Sequence, residues 1–144
     1  MKPQLILVAA DGSAGASRAV DTAAAFARKL DADLLIVTIA GSAWDREIDE
    51  AARSERDAGE AVELLANAAL REARERAERA GAPRVRTWFG WGDAAEEIMG
   101  LIDREKPEMA ILGRRGRGRL TGLLLGSVSQ KLASLAPCLV TIVP

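Results

Sequence analysis

Short apolar runs of strand length alternate along the chain with segments whose apolar positions recur every three or four residues. Leu5–Ala9 is a near-continuous apolar run, the pattern of a parallel strand covered on both faces. Asp11-Gly12-Ser13 is a turn signal. From Ser17 to Leu30 the spacing predicts a helix, with Val20, Ala23, Ala24, Ala27 and Leu30 on one face and Ser17 as N-cap. Leu34–Ile39 reads as a second buried strand. Gly41-Ser42 then opens a connection carrying Trp44. Asp45–Glu60 is charged and poor in large apolar residues, a loop or an exposed helical turn. A longer helix runs from about Arg56 to Ala80, its stripe formed by Val62, Leu65, Ala66, Ala69, Ala73, Ala77 and Ala80. Gly81 and Pro83 end it.

Arg84–Phe89 reads as a third strand, with Val85 and Thr87 on one side and Arg86 and Trp88 on the other, and Gly90-Trp91-Gly92 turns the chain. Asp93 with Glu96 matches a capping box. It opens a helix from Ala94 to about Glu105 that buries Ala95, Ile98, Met99 and Ile102. Met109–Leu112 is a fourth strand, Ser127–Leu135 a last helix with Val128, Leu132 and Leu135 inward, and Cys138–Val143 a fifth strand. The order β-α-β-α-β-α-β-α-β argues an α/β fold: one doubly wound domain over residues 1–144, with a parallel sheet between two helical layers. In such sheets ligands bind beyond the carboxyl ends of the strands. The positions to watch are therefore Asp11, residues 39–44, Gly90–Gly92 and Gly113–Ser129.

Composition narrows the chemistry. The chain has 144 residues, 49% hydrophobic and 28% charged, with a net charge of −1, enough for a core without disulfides or metals. Histidine and tyrosine are absent. Ser-His-Asp and Cys-His mechanisms, histidine metal ligands and tyrosine acid/base chemistry are thereby excluded. The single cysteine, Cys138, forms no intrachain disulfide and is expected to be a small buried hydrophobe. No apolar run approaches membrane-spanning length and no leader pattern opens the chain, so the expectation is a cytoplasmic protein with no membrane partner. Of the tryptophans, Trp88 is expected in packing or an interface, and Trp44 and Trp91 partly buried on the ligand side. The charges of the second helix read as a solvated face with pairs such as Glu72–Arg76 and Glu75–Arg79.

The charge is uneven: Arg114, Arg115, Arg117 and Arg119 cluster between the fourth strand and the last helix. There Gly113-Arg-Arg-Gly116 is followed, after nine residues, by Gly126-Ser127-Val128-Ser129. Glycines let backbone N–H groups approach an anion, a helix N-terminus adds free donors and partial positive charge, and arginine pairs with phosphate. A surface loop that merely turns, with solvated arginines, is the plain alternative, as a capping or turn-bracing role is for Asp11. Neither Gly-Lys-Ser/Thr nor a Gly-x-Gly-x-x-Gly after the first strand occurs, so the P-loop and the usual dinucleotide fingerprint are missing.

The spacing Gly113-x2-Gly116-x9-Gly126-Ser127 resembles the nucleotide pattern of the ATP-binding universal stress proteins. So do Leu5–Ser13, Ser17–Val20, Gly92–Ile98 and Ala136–Val143, in the same order along almost the whole chain. The resemblance implies that Asp11 sits at the adenine-ribose end and Ile39 contacts adenine. Ala9, at the adenine edge, stands where many relatives carry proline. Leu112 and Gly113 would lie beside ribose and phosphates. Gly116, Gly126, Ser127, Val128 and Ser129 would wrap the triphosphate, with Arg115 reaching its terminal phosphates. It further implies ATP, ADP or AMP as ligand, Mg²⁺ or Mn²⁺ held through phosphate oxygens, strand order 3-2-1-4-5 and a homodimer along the fifth strand. A nucleotide-dependent stress-response module is the leading expectation. A slow ATPase or phosphotransferase and a basic-loop nucleic-acid binder are the alternatives; nucleic acid is the weaker, because stacking aromatics are few.

Overall fold

The computed structural model describes residues 4–41, 49, 50, 53, 57–114 and 125–144. Among the described residues these elements alternate: β1 (Leu5–Ala9), α1 (Ala14–Leu30), β2 (Asp33–Ala40), α2 (Ala58–Arg79), β3 (Arg84–Trp91), α3 (Ala94–Glu105), β4 (Met109–Gly113), α4 (Ser127–Leu135) and β5 (Leu139–Val143). All five strands are parallel, in the order β3-β2-β1-β4-β5. The chain therefore winds outward from β1 in one direction, then crosses back to β4 on β1's other side. Leu7 lies opposite both Leu35 and Ala110.

The apolar runs of β1, β2 and β4 have two faces to fill. Ile6, Val8, Leu34, Ile36 and Ile111 pack under α1 and α2, against Ala19, Val20, Ala23, Ala24, Ala27, Leu70, Ala73 and Ala77. Leu7, Leu35, Val37, Ile39, Ala110 and Leu112 pack on the other face against Ile98, Leu101 and Ile102 of α3 and Leu132 of α4. Strand side chains alternate between faces, and here neither face is left to water.

Several boundaries differ from the sequence expectation. Helix α1 starts a turn earlier, capped by Ser13, whose hydroxyl accepts from Ala16 N, and not by Ser17. Gly12, at φ 82°, turns the chain so sharply that the helix begins at once. Strand β3 runs on through Gly90 and Trp91, because β2 offers partners as far as Ala40. Gly92, at φ 133°, makes the turn. On α2 the buried stripe is Val62, Ala66, Leu70, Ala73 and Ala77, while Leu65 is half exposed. Leu30 and Leu135, at the last positions of their helices, are also exposed; the helical period continues there but the sheet beneath does not. Leu101 is buried as well, and Met99 is half-buried against the same cluster. Cys138 is half-buried and free. Arg76, expected to pair along its own helix, makes a bidentate pair with Asp21 of α1, its Nη2 2.8 Å from Oδ2.

Candidate functional site

The strand order reverses between β1 and β4, and their carboxyl ends open the crevice in which ligands of such sheets sit. Two helices begin there. Helix α1 follows β1 through Asp11-Gly12-Ser13, with the Asp11 carboxylate accepting from Ser13 N at 2.9 Å. Helix α4 follows β4 through the glycine-rich connection. Gly126 is its N-cap, with no side-chain cap hydrogen bond. The connection is pinned at its neck: Arg114 N donates to Val143 O (2.7 Å), and Gly126 N donates to Arg114 O (2.8 Å). Helix α4 thus starts against the end of the sheet.

Both helices lack acidic residues in their first turns. Helices α2 and α3 carry Glu60 and Glu96, Glu97 there. A helix N-terminus has free N–H groups and partial positive charge. At α2 and α3 carboxylates complement that charge; at α1 the Asp11 carboxylate and the Ser13 hydroxyl take N–H groups at the start of the helix, while at α4 no side chain does. Gly126 adapts to this. Its φ of −70° and ψ of 166° suit any residue, so the backbone conformation does not demand glycine. What glycine contributes is the missing Cβ beside the first free N–H groups.

Of the residues singled out from the sequence, Ala9, Ile39, Leu112 and Val128 come together on one face of the sheet, in the cluster shared with α3 and α4. Ile39 and Leu112 are buried; Ala9 and Val128 are half-buried. Gly113 ends β4 opposite Val143. Ser127 is exposed at the first position of α4. Ser129 is buried, and its hydroxyl donates to Gly113 O at 2.8 Å. Arg115, Gly116 and Trp44 lie outside the described residues. Trp91, expected to be partly buried, is 45% exposed and edge-on to Phe89 with centroids 5.7 Å apart. The Trp88 ring folds over Gly90 against the α3 side. Thr38 was missed: it is buried and donates to Ala10 O. Its signal in the sequence was a single polar residue inside the otherwise apolar run from Leu34 to Ala40.

The model of the universal stress protein family matches residues 3–144. The chain belongs to the universal stress protein family. A universal stress protein of Thermus aquaticus is 34% identical over 142 residues, covering 96% of each chain. Among solved structures, a universal stress protein in complex with cAMP is 30% identical, with a TM-score of 0.72 over 98% of this chain and 96% of that one. The universal stress protein of Archaeoglobus fulgidus in complex with dAMP gives a TM-score of 0.74, covers all of both chains and is 20% identical, a likeness of fold. In this universal stress protein no helix among the described residues is long and apolar enough to cross a membrane.

Proposed function

We propose that this universal stress protein binds an adenine nucleotide, ATP foremost, across the crevice between β1 and β4. The carrying observation is the N-terminus of α4, which starts at the crevice behind Gly126 with no carboxylate in its first turn and no side-chain cap. Phosphate is the ligand such donors suit. The relative solved with cAMP supports adenine at the other end. In this reading the phosphates lie on the N–H groups that follow Gly126 and are met by Ser127, Arg115 and Gly116. The adenosine lies toward Ala9, Asp11 and Ile39. Mg²⁺ or Mn²⁺ would be held mainly by phosphate oxygens; among the described residues no group of three or more Asp, Glu or Cys is placed to cage a metal ion.

The protein acts as a loaded module in the cytoplasm, one domain per chain, and signals through conformation or a partner. Hydrolysis requires an oriented water with a base near the γ-phosphate. The segment 113–129 holds no carboxylate and no Gln, and Asp11 already braces the α1 turn. Turnover is expected far below ~1 s⁻¹, the low end of ordinary enzymes. Calorimetry with ATP, ADP and AMP, together with a phosphate-release assay, tests the reading. Saturable binding with ATP recovered intact supports it, and an absence of binding to all three sinks it. Turnover at or above that rate would make the protein an enzyme.

A further inference from the structure

Among the described residues, Thr38 and Ser129 are the polar side chains that are buried, at 1% and 3% exposure. A buried hydroxyl without a partner is costly, so each is expected to be committed to one. Their partners are not scattered. The Thr38 hydroxyl donates to the carbonyl of Ala10, the residue just past the end of β1. The Ser129 hydroxyl donates to the carbonyl of Gly113, the last residue of β4. These are the two lips of the crevice. The clamp on the first lip is double, because Ala10 N also donates to Val37 O at 2.8 Å. Two consecutive residues of β2 therefore hold both ends of Ala10, and the peptide from which Asp11 projects is fixed by a neighbouring strand. On the second lip, Ser129 ties the first turn of α4 to the strand it follows, which sets where that turn's N–H groups point.

We infer that Thr38 and Ser129 are positioning residues for opposite ends of one ligand: Thr38 orients the adenosine end through Ala10 and Asp11, and Ser129 orients the phosphate end through Gly113 and the start of α4. The inference rests on the nucleotide reading above and adds a division of labour to it. The Thr38 hydroxyl need not touch the ligand, and Ser129, which the family resemblance sets around the triphosphate, has its hydroxyl proton on Gly113 O. Each removes a rotational freedom that the ligand would otherwise have to freeze out on binding.

The test measures affinities of adenosine, inorganic triphosphate and ATP by calorimetry for the wild type and for Thr38→Val, Thr38→Ser, Ser129→Ala and Ser129→Thr. Thr38→Val should weaken adenosine and ATP by about five- to tenfold, the worth of one net hydrogen bond, and leave triphosphate unchanged. Ser129→Ala should do the reverse, weakening triphosphate and ATP while sparing adenosine. Thr38→Ser loses a buried methyl and should melt lower than wild type, yet keep adenosine affinity, because the hydroxyl remains. That variant keeps the idea falsifiable if Thr38→Val fails to fold. Equal losses for all three ligands in each variant, or loss of adenosine affinity in Thr38→Ser, would overturn the inference while ATP binding by the wild type stood. A wild type that binds none of the three would remove the nucleotide reading and this inference with it.

Discussion

At Gly126 the requirement of the fold and the requirement of the proposed ligand separate. The position is an N-cap with an extended backbone open to any residue, and Asp is a better N-cap than Gly by about a few tenths of a kcal/mol. Gly126→Asp is therefore expected to melt at or slightly above the wild-type temperature while losing ATP affinity, since it sets a negative charge where phosphate would lie. Unchanged affinity in the folded variant would refute the site. Ser127→Ala should cost binding less, about 0.5–1.5 kcal/mol for one net hydrogen bond. Cys138 offers a second residue-level check. Burial pushes its thiol up from the ordinary cysteine value, so the reactive thiolate is scarcer at pH 8 than for a free thiol. Alkylation by iodoacetamide should be slower than that of free cysteine and should accelerate as pH rises; a rate equal to or above the free thiol's would contradict the packing described for it.

At the scale of the elements, strand ends decide more than strand middles. The end of β2 passes so close to the turn after β3 that a Cβ on Gly41 would be built into the carbonyl oxygen of Gly92. Gly92 N donates to Ala40 O at 3.0 Å across the same contact. Backbone cannot yield as a flexible side chain can. Gly41→Ala should therefore destabilise by about 1–3 kcal/mol, the range of overpacking, read as a lower urea midpoint. A midpoint equal to wild type would show that the turn relaxes freely. The Asp21–Arg76 pair joins α1 to α2 at the surface. The Arg76 hydrogen bond holds the Asp21 carboxyl below its usual value, so this contribution is present at neutral pH and lost as pH falls through the lowered value. Both side chains are nearly half exposed, and solvent screening keeps the pair's worth small.

At the scale of the molecule, the sheet has two edges. Strand β5 bonds only to β4 among the described residues, and Leu139 at its start is 65% exposed. An apolar edge invites pairing or covering, and a homodimer through β5 is proposed as its cover. Light scattering at micromolar concentration should return twice the chain mass, and Leu139→Lys should shift the population toward monomer. A wild type seen only at monomer mass would dispose of the dimer.

The sequence by itself determined which segments become strands and helices, because burial on both faces and the helical period are written in the order of residues. It also located the glycine-rich connection between β4 and α4, since glycine, serine and arginine carry their chemistry locally. It misjudged Leu30, Leu65 and Leu135, whose exposure depends on how far the sheet extends beneath each helix. It was silent on Thr38, whose partner lies 28 residues away, just past the end of β1. The order of the strands came from family resemblance and not from the pattern of residues, because parallel pairing is non-local and any of the apolar runs suits a central place. Only the tertiary structure set β4 beside β1, and with it brought the starts of α1 and α4 to a single crevice; their meeting depends on hydrogen bonds between strands about a hundred residues apart.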